Sequence, residues 1–167
     1  MQHITQQTEF DCGFAVAAML CNVSYDNACE WDADPDAERG INGEEMADLL
    51  WDITTEHSPE LEDTHVAPRF VGTLSQPCPA TGLITASVEE FAKAGLDDGA
   101  GVALLICRPS GEHGGHWVAL KGQAVYDPES ETAVLVDDYA HSHWRVCGYV
   151  RPTPQLKGNG KGRRAKK

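Results

Sequence analysis

A cysteine at the threshold of an apolar helix, a histidine at the head of a strand and a carboxylate within reach of that histidine are the equipment of thiol-based nucleophilic chemistry. The cysteine is Cys12, in the stretch QQTEFDCGFAVAAMLCN at residues 6–22. Asp11 is a residue type favoured at helix N-caps, every position from Phe14 to Leu20 is apolar, and Asn22 offers a stop. A helix that starts at Asp11 or Cys12 aims its unpaired backbone N–H groups and positive dipole end at the sulfur, which favours thiolate over thiol. The Asp11 carboxylate opposes that effect if it points the same way. Gln6 stands six residues upstream, far enough for the chain to turn and set its amide beside the sulfur, where an oxyanion donor belongs. Alone the stretch decides nothing, because buried inert cysteines are common.

A cysteine nucleophile needs a base within hydrogen-bond reach, and the base needs a third group to fix its tautomer and orientation. Among seven histidines, His116 is best placed, since it opens the apolar run HWVALK directly after Gly114 and Gly115, which permit close approach of backbone or substrate. On a strand, His116, Val118 and Leu120 share one face, and Trp117, Ala119 and Lys121 take the other. If the next strand returns antiparallel through Gln123 to Tyr126, Asp127 ends near the start of the first and brings its carboxylate beside His116. Asp137 and Asp138, in VLVDDY, are the reserve for that role. Two possible metal sites are weaker. The pair His113 and His116 is separated by consecutive glycines, and the cluster Asp137, Asp138, His141 and His143 lacks the spacing of a zinc-binding helix. No metal or other cofactor is expected.

The elements that must position these residues can be read in order. Ser24 to Trp31 forms a second short helix, Asp32 to Glu38 a solvated acidic loop, and Gly40 to Ile53 a third helix with Ile41, Met46, Leu49, Leu50 and Ile53 at helical spacing. His65 to Val71 reads as an edge strand because of Pro68. Ser87 with Glu90 makes a capping box for a helix over 85–95, with Val88 and Phe91 facing inward and Gly95 ending it. Strands follow: VALLIC at 102–107 as a central strand, 116–121, 124–126, and a strand pair at 133–136 and 143–150. Helices first and antiparallel strands last predict an α+β domain, with N-terminal helices packed on a C-terminal antiparallel sheet.

The chain of 167 residues, 41% hydrophobic, is long enough for one domain with a substantial core, expected over 1–155. The tail from 156 is basic, Gly-rich and too poor in apolar residues to fold, so 156–167 is expected to be disordered. It carries six of the 13 basic residues, which leaves seven facing 26 acidic ones in the body, a balance near −19. So acidic a body argues against binding nucleic acid through its surface; only the tail offers weak electrostatic contact. Six cysteines without CxxC spacing, an apolar run at 14–20 flanked by acids rather than bases, and no stretch long enough to span a bilayer predict a cytoplasmic protein with reduced thiols and no membrane partner.

In Gln6, in Asp11-Cys12-Gly13 with the Ala-rich helix to Met19, in GHWVAL at 115–120 and in YDP at 126–128, the chain resembles the papain-like cysteine peptidases, most closely the bacteriocin-leader-processing C39 peptidases. The resemblance covers residues 3–30 and 100–130, with an echo in GINGEEMADLL. It implies a papain-like fold and a thiol protease in which Cys12 is the nucleophile, His116 the general base and acid, and Asp127 the group that orients His116. Gln6 would be an oxyanion donor alongside the Cys12 backbone N–H. It also implies a peptide or protein substrate, cleaved after Gly-Gly because narrow pockets exclude side chains. The same thiol chemistry would serve a papain-like acyltransferase or deamidase, and the same scaffold could act as a binding or inhibitor protein without catalysis.

Overall fold

The computed structural model describes residues 1–31, 40–57, 68–72, 86–95, 99–107 and 115–152. The acidic loop from Asp32, the start of the proposed edge strand at 65–67, His113 and the basic tail lie outside the described residues. The elements run α1 (Cys12–Cys21), α2 (Tyr25–Cys29), α3 (Gly43–His57), β1 (Phe70–Gly72), α4 (Val88–Lys93), β2 (Val102–Cys107), β3 (Gly115–Lys121), β4 (Ala124–Tyr126), β5 (Val134–Leu135) and β6 (Arg145–Val150). A 3-10 turn, Val136–Asp138, separates β5 from β6. The six strands form one antiparallel sheet in the order β1-β6-β2-β3-β4-β5, so the domain is α+β.

α1 is apolar all round, and a helix of that kind is stable only when surrounded. Every residue from Cys12 to Met19 is buried, and Asn22 closes the helix in a left-handed conformation with φ 57°. α2 starts where Ser24 caps it, accepting a bond from Asn27 N at 3.1 Å. α3 begins at Gly43 rather than Gly40 because Asn42 is its cap: Asn42 Oδ1 accepts from the N–H groups of Glu44 and Glu45, and Glu45 Oε2 accepts from Asn42 N. The helix also passes Ile53, since the hydroxyls of Thr54 and Thr55 bond back to Leu50 O and Trp51 O and so stay compatible with helical backbone. α4 carries the expected capping box between Ser87 and Glu90.

The sheet is covered on both faces, where the sequence suggested one helical layer. α1, α2 and α3 pack with Ala103, Trp117, Ala119 and Val150. α4 and the segment around Tyr139 pack on the opposite face with Val102, Leu104, Ile106, Val118 and Leu120. The continuous apolar run of β2 has this cause, as a central strand buried on both sides needs no polar alternation. β5 and β6 are not a pair. β5 joins β4 at one edge, whereas β6 crosses over to lie between β2 and β1. The register of β6 slips by one between its pairings with Leu105 and Ile106, which leaves Cys147 as an extra residue. The bulge puts Val146 and Tyr149, three positions apart, in the same core cluster.

Cys107 and Cys147 are joined in a disulfide, while among the described residues Cys12, Cys21 and Cys29 take part in none. The expectation of reduced thiols does not hold at this pair. Among the described residues, no helix is long and apolar enough to cross a membrane.

Candidate active site

Cys12 is the first residue of α1 and is buried. Asp11 occupies the N-cap position but does not cap, having no side-chain hydrogen bond to the helix. Its carboxylate is taken instead by the Tyr25 hydroxyl of α2, which donates to Asp11 Oδ2 at 2.5 Å. The Asp11 side chain is therefore not the acceptor for the first N–H groups of α1. The start of α1 is pressed tightly into place. A Cβ at Gly13 would collide with the Ile41 side chain and stand 3.3 Å from Trp117 Cδ1. Trp117, beside His116 on β3, donates from Nε1 to Ile41 O at 2.9 Å and so fixes the wall against which Gly13 packs.

His116 and Asp127 meet through hairpin geometry. β3 and β4 are joined by a two-residue turn whose first residue, Gly122, has φ 60°, the position that a type II′ turn gives to glycine. The pairing Ala119↔Tyr126, extended by one step, sets Asp127 opposite Val118 and on the face that His116 shares. The imidazole Nε2 of His116 lies 2.8 Å from Asp127 Oδ1. Asp127 is only 3% exposed, and its carboxylate is satisfied from two further sides: Glu129 N donates to Oδ1 at 2.9 Å and the Tyr139 hydroxyl to Oδ2 at 2.7 Å. Asp137 and Asp138, the reserve candidates, are exposed on the 3-10 turn. Cys12 also acts on His116, since its side chain adds to Asp127 in raising the imidazole pKa. The exposed Glu129 carboxylate lies 3.9 Å from Nδ1 on the solvent side.

The charges of this group reinforce one another. Burial pulls the His116 pKa down, but the hydrogen bonds and negative charges of Asp127 and Cys12 outweigh it and lift the value to about 10. For Asp127, burial pushes the pKa up, and the His116 bond and charge, the Tyr139 hydroxyl and the Glu129 N–H together bring it below the ordinary carboxylate value. Imidazolium beside carboxylate is thus the state favoured at neutral pH.

Gln6 is anchored by its backbone, N donating to Pro128 O at 3.0 Å, so the N-terminal segment is tied to the residue after Asp127. His3 adds a second tie, with Nε2 3.0 Å from Asp127 O and its ring stacked on Tyr126. The Gln6 side-chain oxygen is buried without a hydrogen-bond partner. A half-turn of the amide exchanges its oxygen and nitrogen at no steric cost, so this end of Gln6 has hydrogen-bonding capacity to spend.

A scan against protein-family models, a search of curated proteins and a search of solved structures return no match. The chemistry of this constellation therefore rests on its own geometry.

Among the described residues, His116, Asp127 and Glu129 form the single group whose ligand atoms would suit a metal, lying within 4.8 Å of one another. Asp127 already accepts from three donors, so a metal would have to displace the bond to His116. The residues of the other suggested cluster do not converge, as the His141 ring lies 3.9 Å from that of Trp144. Sequence reasoning missed Tyr25 and Tyr139, which bond Asp11 and Asp127.

Proposed function

We propose that the protein is a papain-like cysteine peptidase. The observation that carries this reading is that one half-buried imidazole, His116, is hydrogen-bonded to a buried, multiply bonded carboxylate, Asp127, and has its pKa raised by Cys12 as well. The Cys12 thiolate attacks the carbonyl carbon of the scissile peptide bond. The oxyanion so formed is received by the Cys12 backbone N–H and the Gln6 amide. His116, as imidazolium, gives a proton to the departing amine nitrogen, leaving a thioester on Cys12. Water then attacks the thioester, His116 takes a proton from it, and the acid product leaves as the thiolate is restored. Asp127 holds the imidazole in register and balances its charge throughout. The resemblance to leader-processing peptidases points to substrates cleaved after Gly-Gly.

The test begins with iodoacetamide at neutral pH, followed by peptide mapping. Cys12 should react well ahead of the other free thiols, and a set of peptides with Gly-Gly junctions should be cut by the parent protein. Cys12→Ala, which removes the sulfur and leaves a good helix former, should fold normally and cut none of them. Alkylation spread evenly over the free cysteines would leave a binding scaffold instead. Mass spectrometry of the products separates hydrolysis from acyl transfer.

A further inference from the structure

Behind the imidazole and its carboxylate stands a group that the peptidase reading does not use. Tyr139 follows the 3-10 turn, is 5% exposed, and places its hydroxyl 2.7 Å from Asp127 Oδ2, the oxygen that faces away from His116. Among the described residues no other hydrogen bond is made to Oδ2, whereas Oδ1 accepts both from His116 and from Glu129 N. A buried carboxylate with one oxygen unpaired can rotate, and a rotation sufficient to find a partner for Oδ2 would carry Oδ1 off the imidazole. The Tyr139 ring is itself fixed, meeting the His141 ring edge to face at 5.5 Å, with His141 in turn against Trp144. We infer that Tyr139 is a positioning residue of the catalytic constellation, its hydroxyl locking the Asp127 carboxylate so that Oδ1 stays on His116.

This inference rests on the peptidase reading and extends it by one member, from Cys12 through His116 and Asp127 to Tyr139. Burial and the charge of Asp127 raise the Tyr139 pKa, so the hydroxyl keeps the proton it must donate. The titratable groups around Asp127 are His116 from β3, Tyr139 after the 3-10 turn, Glu129 from its own turn and His3 from the N-terminal segment. Asp138 and His141 line the 320 Å³ cavity that Asp127, Glu129 and Tyr139 share. Glu129 and Asp138 are exposed, and neither donates to Oδ2.

The test is Tyr139→Phe, which deletes only the hydroxyl. Two readouts are taken: the carboxyl-carbon NMR titration of Asp127, and the rate of Cys12 alkylation by iodoacetamide at neutral pH. Loss of one hydrogen bond to a buried anion should move the Asp127 titration up by about one pH unit and slow alkylation about tenfold. In an Asp127→Ala background, Tyr139→Phe should slow alkylation no further, because the group it acts through is gone. A packing role alone would lower thermal stability and leave the Asp127 titration where it was. Should Tyr139→Phe not fold, 3-fluorotyrosine placed at position 139 keeps the ring, makes the hydroxyl a stronger donor, and should move the titration down instead. An Asp127 titration that stays in place, or a loss of rate that persists without Asp127, overturns the assignment. If Cys12 of the parent protein reacts no faster than its other free thiols, the peptidase reading falls, and this assignment with it.

Discussion

At His116 burial and electrostatics oppose each other, and the balance has a measurable sign. Burial alone would favour the neutral imidazole, yet Asp127 and Cys12 hold the proton so firmly that the pKa rises from 6.5 to about 10. A group raised in this way contributes stability that is fully present below 6.5 and is lost as pH rises through about 10. In the proposed mechanism the imidazolium is also the acid that protonates the leaving amine, so on that proposal peptide cleavage should fall on the alkaline side through the same range. Asp127→Ala removes the principal partner and should bring the His116 titration down toward its ordinary value, with Asp127→Asn intermediate because its oxygen still accepts from Nε2–H. Asp137→Ala and Asp138→Ala, both at exposed positions, should leave it in place. Imidazole NMR titrations of the four variants decide the matter; a shift with Asp137 or Asp138 and none with Asp127 would transfer the orienting role. The reason Asp127 could be read in advance is local: eleven residues and one tight turn separate it from His116. Tyr139 could not, because it reaches Asp127 through the path of the chain around β5 and the 3-10 turn. The signal nearest to it was VLVDDY, where the two acids drew attention and the neighbouring tyrosine makes the contact.

Among the elements, α1 must be held at one height along β3, and Gly13 is where that is decided. Gly13, the residue after Cys12, packs so closely on Ile41 and Trp117 that no side chain fits without movement. Gly13→Ala should therefore cost about 1–3 kcal/mol in urea unfolding, as overpacking does, and slow Cys12 alkylation by shifting the helix start away from His116. An unchanged midpoint together with an unchanged rate would mean that Ile41 yields freely and that α1 is positioned elsewhere. The helices themselves were legible from apolar spacing and caps, because α1 and α4 carry their signals within a few residues. Which face of the sheet each helix covers was not. α4 presents Val88, Phe91 and Ala92 to a core, but nothing in that pattern distinguishes one side of a sheet from the other. The crossing of β6 was hidden for a related reason, since the bulge at Cys147 breaks the alternation by which strand faces are read.

For the whole molecule, the disulfide decides how firmly the two halves of the sheet are tied. β6 is the last strand among the described residues and lies between β1 and β2, so its placement closes a long loop. Cys107 ends β2 opposite Gly115, next to His116, and its bond to Cys147 fastens β6 at the end of the sheet where His116 stands near the start of β3. A crosslink spanning 40 residues restricts the unfolded chain by about 4 kcal/mol in the loop-entropy treatment. Replacing both Cys107 and Cys147 with Ser should lower the unfolding free energy by an amount on the order of 4 kcal/mol. It should leave Cys12 alkylation in the folded protein nearly unchanged, since neither sulfur touches the site and the β2–β3 register does not depend on the bond. A thiol count on the denatured, unreduced protein should find at most four of the six cysteines free. Six titratable thiols, or a double-serine variant as stable as the parent, would show that the sheet holds β6 by pairing with β2 and β1 alone. The two readouts separate what keeps the domain folded from the reactivity proposed for Cys12, for the first draws on a covalent tie between strands and the second, on that proposal, on an imidazole held by Asp127.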